Sequence, residues 1–249
     1  VEMRLDTELY LVQGGTAGAA IRQSAEGQPV ADRLEAMEDD PGLASWSMAR
    51  TVREILADLE RCGASFVPVL RMEADLEAAG YGILRGEVLA GWAGEEAARG
   101  INLLLGKVDA DVVEVALPDG AAALRVVGAQ TKVRPVFADG TLTGLEICCQ
   151  IDANLAEGGA DLRDPEARRS LEEVLAQVEE GRIREALNLC QSLDADFMDL
   201  KTAAGLERPW RWTELCRQWE LSALDLSVSV TAGIQRSYDA VRQHDFINW

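Results

Sequence analysis

The chain has 249 residues, enough for one large domain or two ordinary ones, and its 48% hydrophobic and 27% charged residues make it globular rather than disordered. Its 43 acidic against 24 basic residues leave a formal net charge of −19. That balance excludes nucleic acid as a partner, because phosphate binding needs Lys/Arg patches that release counterions, and it predicts no unaided adhesion to an anionic lipid surface.

Leu9 to Val12 is a short apolar run ended by Gln13-Gly14-Gly15-Thr16-Ala17-Gly18. A strand, a Gly-rich turn and a helix start is the form of a phosphate cradle, but the pattern is neither GxGxxG nor GxxxxGK[ST], so a plain strand-to-helix turn is the stronger reading. Val30 to Met37 predicts a short helix, and Asp39-Asp40-Pro41-Gly42 a turn. Ser45 or Ser47 is the expected cap of a helix with Val52, Ile55, Leu56 and Leu59 on one face and Cys62-Gly63 at its end. Ser65 to Leu70 is extended, with Pro68 favouring an edge position. Residues 1–78 thus read as strand, helix, helix, strand. Four elements are few for an independent core, so we expect residues 1–78 to be part of a smaller, truncated α/β domain. A start at Val1 rather than Met, with no signal-like segment, fits the same expectation of a fragment or mature form.

After Gly80 the pattern changes. Tyr81–Leu84, Arg85-Gly86-Glu87 and Val88–Trp92 predict a hairpin. Gly94 to Leu105 reads as a helix, with Glu95 and Glu96 in its first turn, where they suit the helix dipole. Val112–Leu117, Ala122–Val136 and the alternating run Leu145, Ile147, Cys149, Ile151, Ala153, Leu155 predict three strands of an antiparallel meander joined by Asp-Gly turns. Asp164-Pro165 is a helix start, an acidic N-cap with proline at N1. The long helix that follows carries Leu171, Leu175, Ile183, Leu187, Cys190 and Phe197 on its apolar stripe, and its charged face reads as solvated. Gly181 interrupts it, where a bend is expected.

Near the end, Trp212, Leu215, Cys216 and Trp219 recur at i, i+3, i+4, i+7, the spacing of one buried helix face. Leu224 to Ile234 then alternates strictly with polar residues, as in a strand with one solvated side. Tyr238 to Trp249 is a polar tail. The expected fold class is therefore α+β: residues 79–249 form a mainly antiparallel sheet covered by the long helix, behind the α/β portion of residues 1–78.

Chemistry is hard to find. His244 is the single histidine and lies in the tail, so any Ser–His or Cys–His pair depends on it. The five cysteines, Cys62, Cys148, Cys149, Cys190 and Cys216, are odd in number and lack CxxC spacing, which reads as free thiols rather than a zinc site. Cys148 and Cys149 are adjacent in a strand and so point to opposite faces. The acidic pairs Asp39/Asp40, Glu95/Glu96 and Glu179/Glu180 fall in turns or on polar helix faces. An acidic-dyad hydrolase needs two of them facing each other in a deep pocket. Trp210, Trp212 and Trp219 would make an aromatic platform, although the spacing of the last two favours core packing. No catalytic, cofactor-binding or metal-binding residue is expected, and no cofactor.

From Gly80 onward the chain resembles the Ger(x)C lipoproteins, the C subunits of the nutrient germinant receptors of bacterial endospores. Gly82-Ile83-Leu84-Arg85 through Val88-Leu89-Ala90-Gly91-Trp92-Ala93 stands where that family has a hairpin reading G-x-A-V-F-K and V-G-W-L. Glu96-Ala97-Ala98-Arg99-Gly100-Ile101 through Leu105-Gly106-Lys107 is similar to its E-x-x-R-G-L-x-W-L-x-G-K pattern, with leucine at 103 and 104 where an aromatic is common. Gln191 and Asp196-Phe197 match the end of the family's long helix, and Pro209, Trp212, Trp219 and Leu226–Ile234 its closing helix and strand. The resemblance implies a non-enzymatic subunit at the outer face of the spore inner membrane, working with two integral-membrane subunits, A and B, in nutrient-triggered germination. It also implies attachment through a lipidated cysteine upstream of Val1. A cleft that binds a small molecule or cell-wall fragment is the alternative.

Overall fold

The computed structural model describes residues 4–22, 30–38, 47–72, 76–108, 111–117, 120–158 and 161–237. The expected turn at Asp39–Gly42, Ser45 as a cap, and the tail with His244, Phe246 and Trp249 lie outside the described residues. Two four-stranded sheets carry the fold, in the orders β1-β2-β3-β4 and β5-β6-β7-β8.

The first sheet comprises β1 (Leu11–Gln13), β2 (Ala64–Met72), β3 (Leu76–Arg85) and β4 (Val88–Ala93). Among the described residues, three helices lie between β1 and β2: α1 (Ala17–Arg22), α2 (Val30–Glu38) and α3 (Val52–Cys62). Strand β1 runs parallel to β2, and β2 to β4 are antiparallel. The Gly-rich turn after β1 is a plain connection: Gly14 takes the positive φ of +80°, and the Thr16 hydroxyl accepts the Ala19 N–H at 3.1 Å. Pro68 sits on an inner strand, not an edge. It pairs with Tyr81 of β3 beside a register shift and falls just outside the stretch where β1 hydrogen-bonds β2, so its missing N–H breaks no bond to β1.

Helix α3 is capped by Thr51 rather than by Ser47. The Thr51 hydroxyl accepts the Glu54 N–H, and the Glu54 carboxylate accepts the Thr51 N–H at 2.8 Å, a reciprocal capping box. Gly63 ends the helix in the left-handed region at φ 71° and donates to the Leu59 carbonyl. Ile55 is buried on its inner face, whereas Leu56, expected beside it, is exposed.

Strand β3 begins before residue 79 and runs through it, pairing with β2 on one side and β4 on the other. Helix α4 (Glu95–Leu104) then leads to the second sheet: β5 (Asp111–Leu117), β6 (Gly120–Ala138), β7 (Thr141–Glu157) and β8 (Asp225–Ser237). The meander β5-β6-β7 is antiparallel, and β8 joins it parallel to β7, from Gly144 opposite Asp225 to Leu155 opposite Ser237. Parallel pairing needs a long crossover, and three helices provide it: α5 (Pro165–Ser192), α6 (Leu200–Glu207) and α7 (Trp212–Gln218).

The 28-residue α5 starts where the sequence indicates, with the Asp164 side chain accepting the Glu166 N–H and Pro165 at N1. It packs against α4 and β8 and continues unbroken through Gly181, without the expected interruption. Phe197 lies beyond its end but is still buried, edge-on to Phe66 with ring centroids 6.5 Å apart. One hydrophobic core runs from Phe66 and Tyr81 of the first sheet through Leu124, Ile147 and Ile151 of the second to Leu171, Leu175 and Ile183 of α5. All five cysteines are free. Cys149 faces the core, and Cys148 is half-exposed on the other side of the sheet.

Candidate functional site

Three places gather unusual side chains. In the first, α4 crosses α5 so closely that a Cβ on Gly100 would overlap the carbonyl oxygen of Arg182. That approach brings the charged side of each helix onto the other. Arg99 binds Glu95 at 2.8 Å and also pairs with Asp111 at the start of β5. Arg182 binds Glu96 and Glu179, at 2.9 and 2.8 Å, and reaches Asp111 at 3.4 Å. Asp111 and Glu179 are buried, Glu179 completely. The charged face of the long helix is thus not wholly solvated.

Burial pushes the Glu179 carboxyl above its ordinary range, against the pull of Arg182. Its Oε1 accepts from Arg182 at 2.8 Å, while its Oε2 is buried with no hydrogen-bond partner among the described residues. Removing one member of such a cluster strands the remaining charges, at a typical cost of ~3–5 kcal/mol. Glu96, Arg99 and Gly100, the core of the E-x-x-R-G pattern, are therefore the parts of a clamp between helices. The carboxylates of Asp111 and Glu179 are both spent on Arg182, so they are not the free dyad a hydrolase requires.

The second place is a cleft of about 350 Å³ between α3 and β2 on one side and α6 with the end of α4 on the other. Its floor is Phe66 and Phe197, and Arg50, Arg61, Asp199 and Lys107 stand around it. The Arg50 guanidinium is buried 4.1 Å over the Phe66 ring, donates to the Phe66 carbonyl at 3.2 Å and pairs with Asp58 at 2.6 Å. Arg61 binds Asp58 at 2.8 Å and Asp199 at 2.6 Å, which ties α3 to the start of α6. Tyr81 completes the tie: its hydroxyl accepts the Met48 N–H at 2.9 Å and donates to Asn102 at 2.8 Å. Burial raises that phenol to about 12.

Asp196 caps α6, accepting the N–H groups of Leu200 and Lys201 at 2.7 and 3.0 Å. Burial nevertheless lifts its carboxyl to about 6, because the Asp199 charge adds to desolvation. Burial likewise raises the nearby thiols, Cys62 to about 11 and Cys190 further. These thiols are held as neutral groups, not as nucleophiles.

The third place is the tryptophan segment. Leu215 is fully buried, but Trp212 is 41% exposed, Trp219 is half-buried, and Trp210 is 78% exposed. The expectation of two buried tryptophans on one helix face is not met: helix α7 ends at Gln218, and Trp219, its C-cap, packs only partly buried against the core while its extended ψ of 110° turns the chain away after it. Trp212 packs its ring on Gly205 of α6 instead, where a Cβ would collide with it.

Of the acidic pairs, Glu95 and Glu96 are divided between Arg99 and Arg182, and Glu180 pairs with Arg184 at 2.5 Å. Among the described residues no three His, Cys, Asp or Glu side chains converge as metal ligands, and no helix is long and apolar enough to cross a membrane.

A family model described as "Spore germination B3/ GerAC like, C-terminal" matches residues 79–238. Among solved structures, the crystal structure of the GerBC protein superposes with a TM-score of 0.73 at 14% identity, covering 93% of this chain and 69% of that one. No curated protein matches the sequence.

Proposed function

The chain belongs to the spore germination B3/GerAC-like family, and from that premise we propose that it is a non-enzymatic subunit of a spore germinant receptor acting in nutrient-triggered germination. It stands at the outer face of the spore inner membrane, held by a lipidated cysteine upstream of Val1 and by the integral-membrane A and B subunits. The observation that carries this reading is the family match over residues 79–238, with Glu96, Arg99 and Gly100 forming the helix clamp at the centre of that region. The division after residue 78 belongs to the same proposal: the family region begins at 79, and the residues before it are the later part of an N-terminal α/β domain whose last strand shares the first sheet. The test is purification of the full-length protein from detergent-solubilised spore membranes. Two integral-membrane receptor subunits should accompany it, and spores lacking it should lose the response to a nutrient. Normal nutrient germination without it would refute the role.

The cleft over Phe66 and Phe197 supports a second reading, in which the chain itself binds a small molecule or cell-wall fragment. Its volume of about 350 Å³ lies at the lower end of ligand pockets, and its apolar floor ringed by charges is their usual chemistry. A ligand of the folded state alone must raise the melting temperature. Nutrients or muropeptides that leave it unchanged at millimolar concentration would remove this reading.

A further inference from the structure

The second sheet ends on β8, which pairs only with β7 among the described residues. From Asp225 to Ile234 that pairing runs without a register shift. The Ile234 N–H points away from β7 and donates to the Glu172 carboxylate of α5 at 3.0 Å. Backbone direction alternates along a strand, so the N–H and C=O groups of Leu226, Val228, Val230 and Ala232 lie on the same outer side. Outside the ladder with β7, no hydrogen bond reaches these four residues among the described ones.

A free strand edge recruits another strand unless it is short, bulged or charged. The other three edges have such guards. Strand β1 has three residues, β4 has six with Ala90 bulged out of its pairing with β3, and β5 carries Glu114 at its centre. Strand β8 has 13 residues, and Leu226 to Gln235 contains neither a charge nor a proline. Its apolar row is unfinished as well. Leu226, Val228, Val230 and Ala232 are only half-buried, whereas their partners on β7, Leu145, Ile147, Cys149 and Ile151, are buried. Backbone and side chains therefore lack a neighbour on the same side.

The two features together select the occupant. A lipid surface offers no row of donors and acceptors to a strand edge. A second copy would bring its own α5, which lies along the length of β8: Gln191 donates to the Leu224 carbonyl at 2.8 Å near one end, and Glu172 meets Ile234 near the other. Paired strands are about 4.8 Å apart and packed helices need about 8–10 Å, so two such helices do not fit over two joined strands. A single extended segment with apolar residues at alternate positions satisfies both the edge and the row. We propose that the free edge of β8 is a docking site for such a segment of another protein, which adds a fifth strand to the second sheet and covers Leu226, Val228, Val230 and Ala232. This edge is separate from the cleft over Phe66 and Phe197.

A labelled synthetic peptide with the sequence Leu226–Gln235 is the probe, because it is an uncharged alternating segment with no helix attached. Fluorescence anisotropy should show saturable binding to the chain. N-methylation of the peptide at positions 228–231 blocks both of its edges and should weaken binding at least about ten-fold. Amide hydrogen exchange reads the same site on the protein. In the free chain the Val228 and Val230 amides should exchange fast beside slow Ser229 and Thr231 amides, and the peptide should slow the first pair at least about ten-fold. No saturable binding at millimolar peptide, or equal binding of the N-methylated peptide, would overturn the proposal. So would Val228 and Val230 amides already protected in the free chain, which assigns the edge to the chain itself, or protection that appears only as protein concentration rises, which assigns it to a second copy.

Discussion

Replacing Gly100 by alanine adds one methyl group where α4 and α5 touch. The new Cβ would overlap the backbone carbonyl of Arg182 and press on the Ala186 Cβ at 3.1 Å, and neither is the free end of a flexible side chain. Relief requires the helices to separate by roughly 1 Å, a gap that forfeits a quarter to a half of each dispersion contact across it. The contacts at risk involve Ala97, Ile101, Ile183 and Ala186, all buried, and the same shift would stretch the Arg182–Glu96 pair. Overpacking of this kind costs about 1–3 kcal/mol, and the stretched ion pairs place Gly100→Ala at the upper end, about 3 kcal/mol. Gly181→Ala is the matched control. It lies in the interior of α5 with nothing near its Cβ position, so the same change should stabilise by up to ~1 kcal/mol through helix propensity. Urea denaturation of the three proteins measures both effects. A loss below 1 kcal/mol for Gly100→Ala would show that the helices part easily and that the close crossing does not hold the clamp together.

Asp196→Asn probes a buried carboxyl. Its folded value of about 6 lies above the ordinary 3.8, so the stability it contributes is complete below about pH 4 and is lost as pH rises through 6. Asparagine keeps one oxygen for the α6 cap, so between pH 4 and 7.5 the parent should lose ~3 kcal/mol relative to the variant; a pH-independent difference would contradict the assignment. Thr51→Ala removes the capping box of α3 and should cost ~1 kcal/mol, more than Ser47→Ala, which a thermal melt of each distinguishes. Leu215→Ala should cost ~3 kcal/mol as a cavity in a fully buried site and exceed Trp219→Ala, whose ring is half-exposed; the reverse order would restore Trp219 to the core.

Much of this fold is legible in the sequence because its signals are local. The alternation from Leu145 to Leu155 places Ile147, Cys149 and Ile151 in the core, since successive strand residues face opposite sides whatever lies around them. Asp164-Pro165 starts α5 and Gly63 ends α3 because caps are satisfied within one turn. The Thr51-x-x-Glu54 box is equally local, and it, not Ser47, satisfies the first turn of α3. What tertiary structure alone decided is the pairing of distant parts. Glu179 and Arg182 have the spacing of a solvated helix face, yet α4 carries Glu96 onto Arg182 from 86 positions away. Trp212 and Trp219 have the spacing of a buried stripe, yet α7 stops after seven residues and Trp212 is left 41% exposed. Periodicity states which residues share a face of an element. Whether that face meets another element or solvent depends on where the chain later returns, and that is settled only when the helices pack.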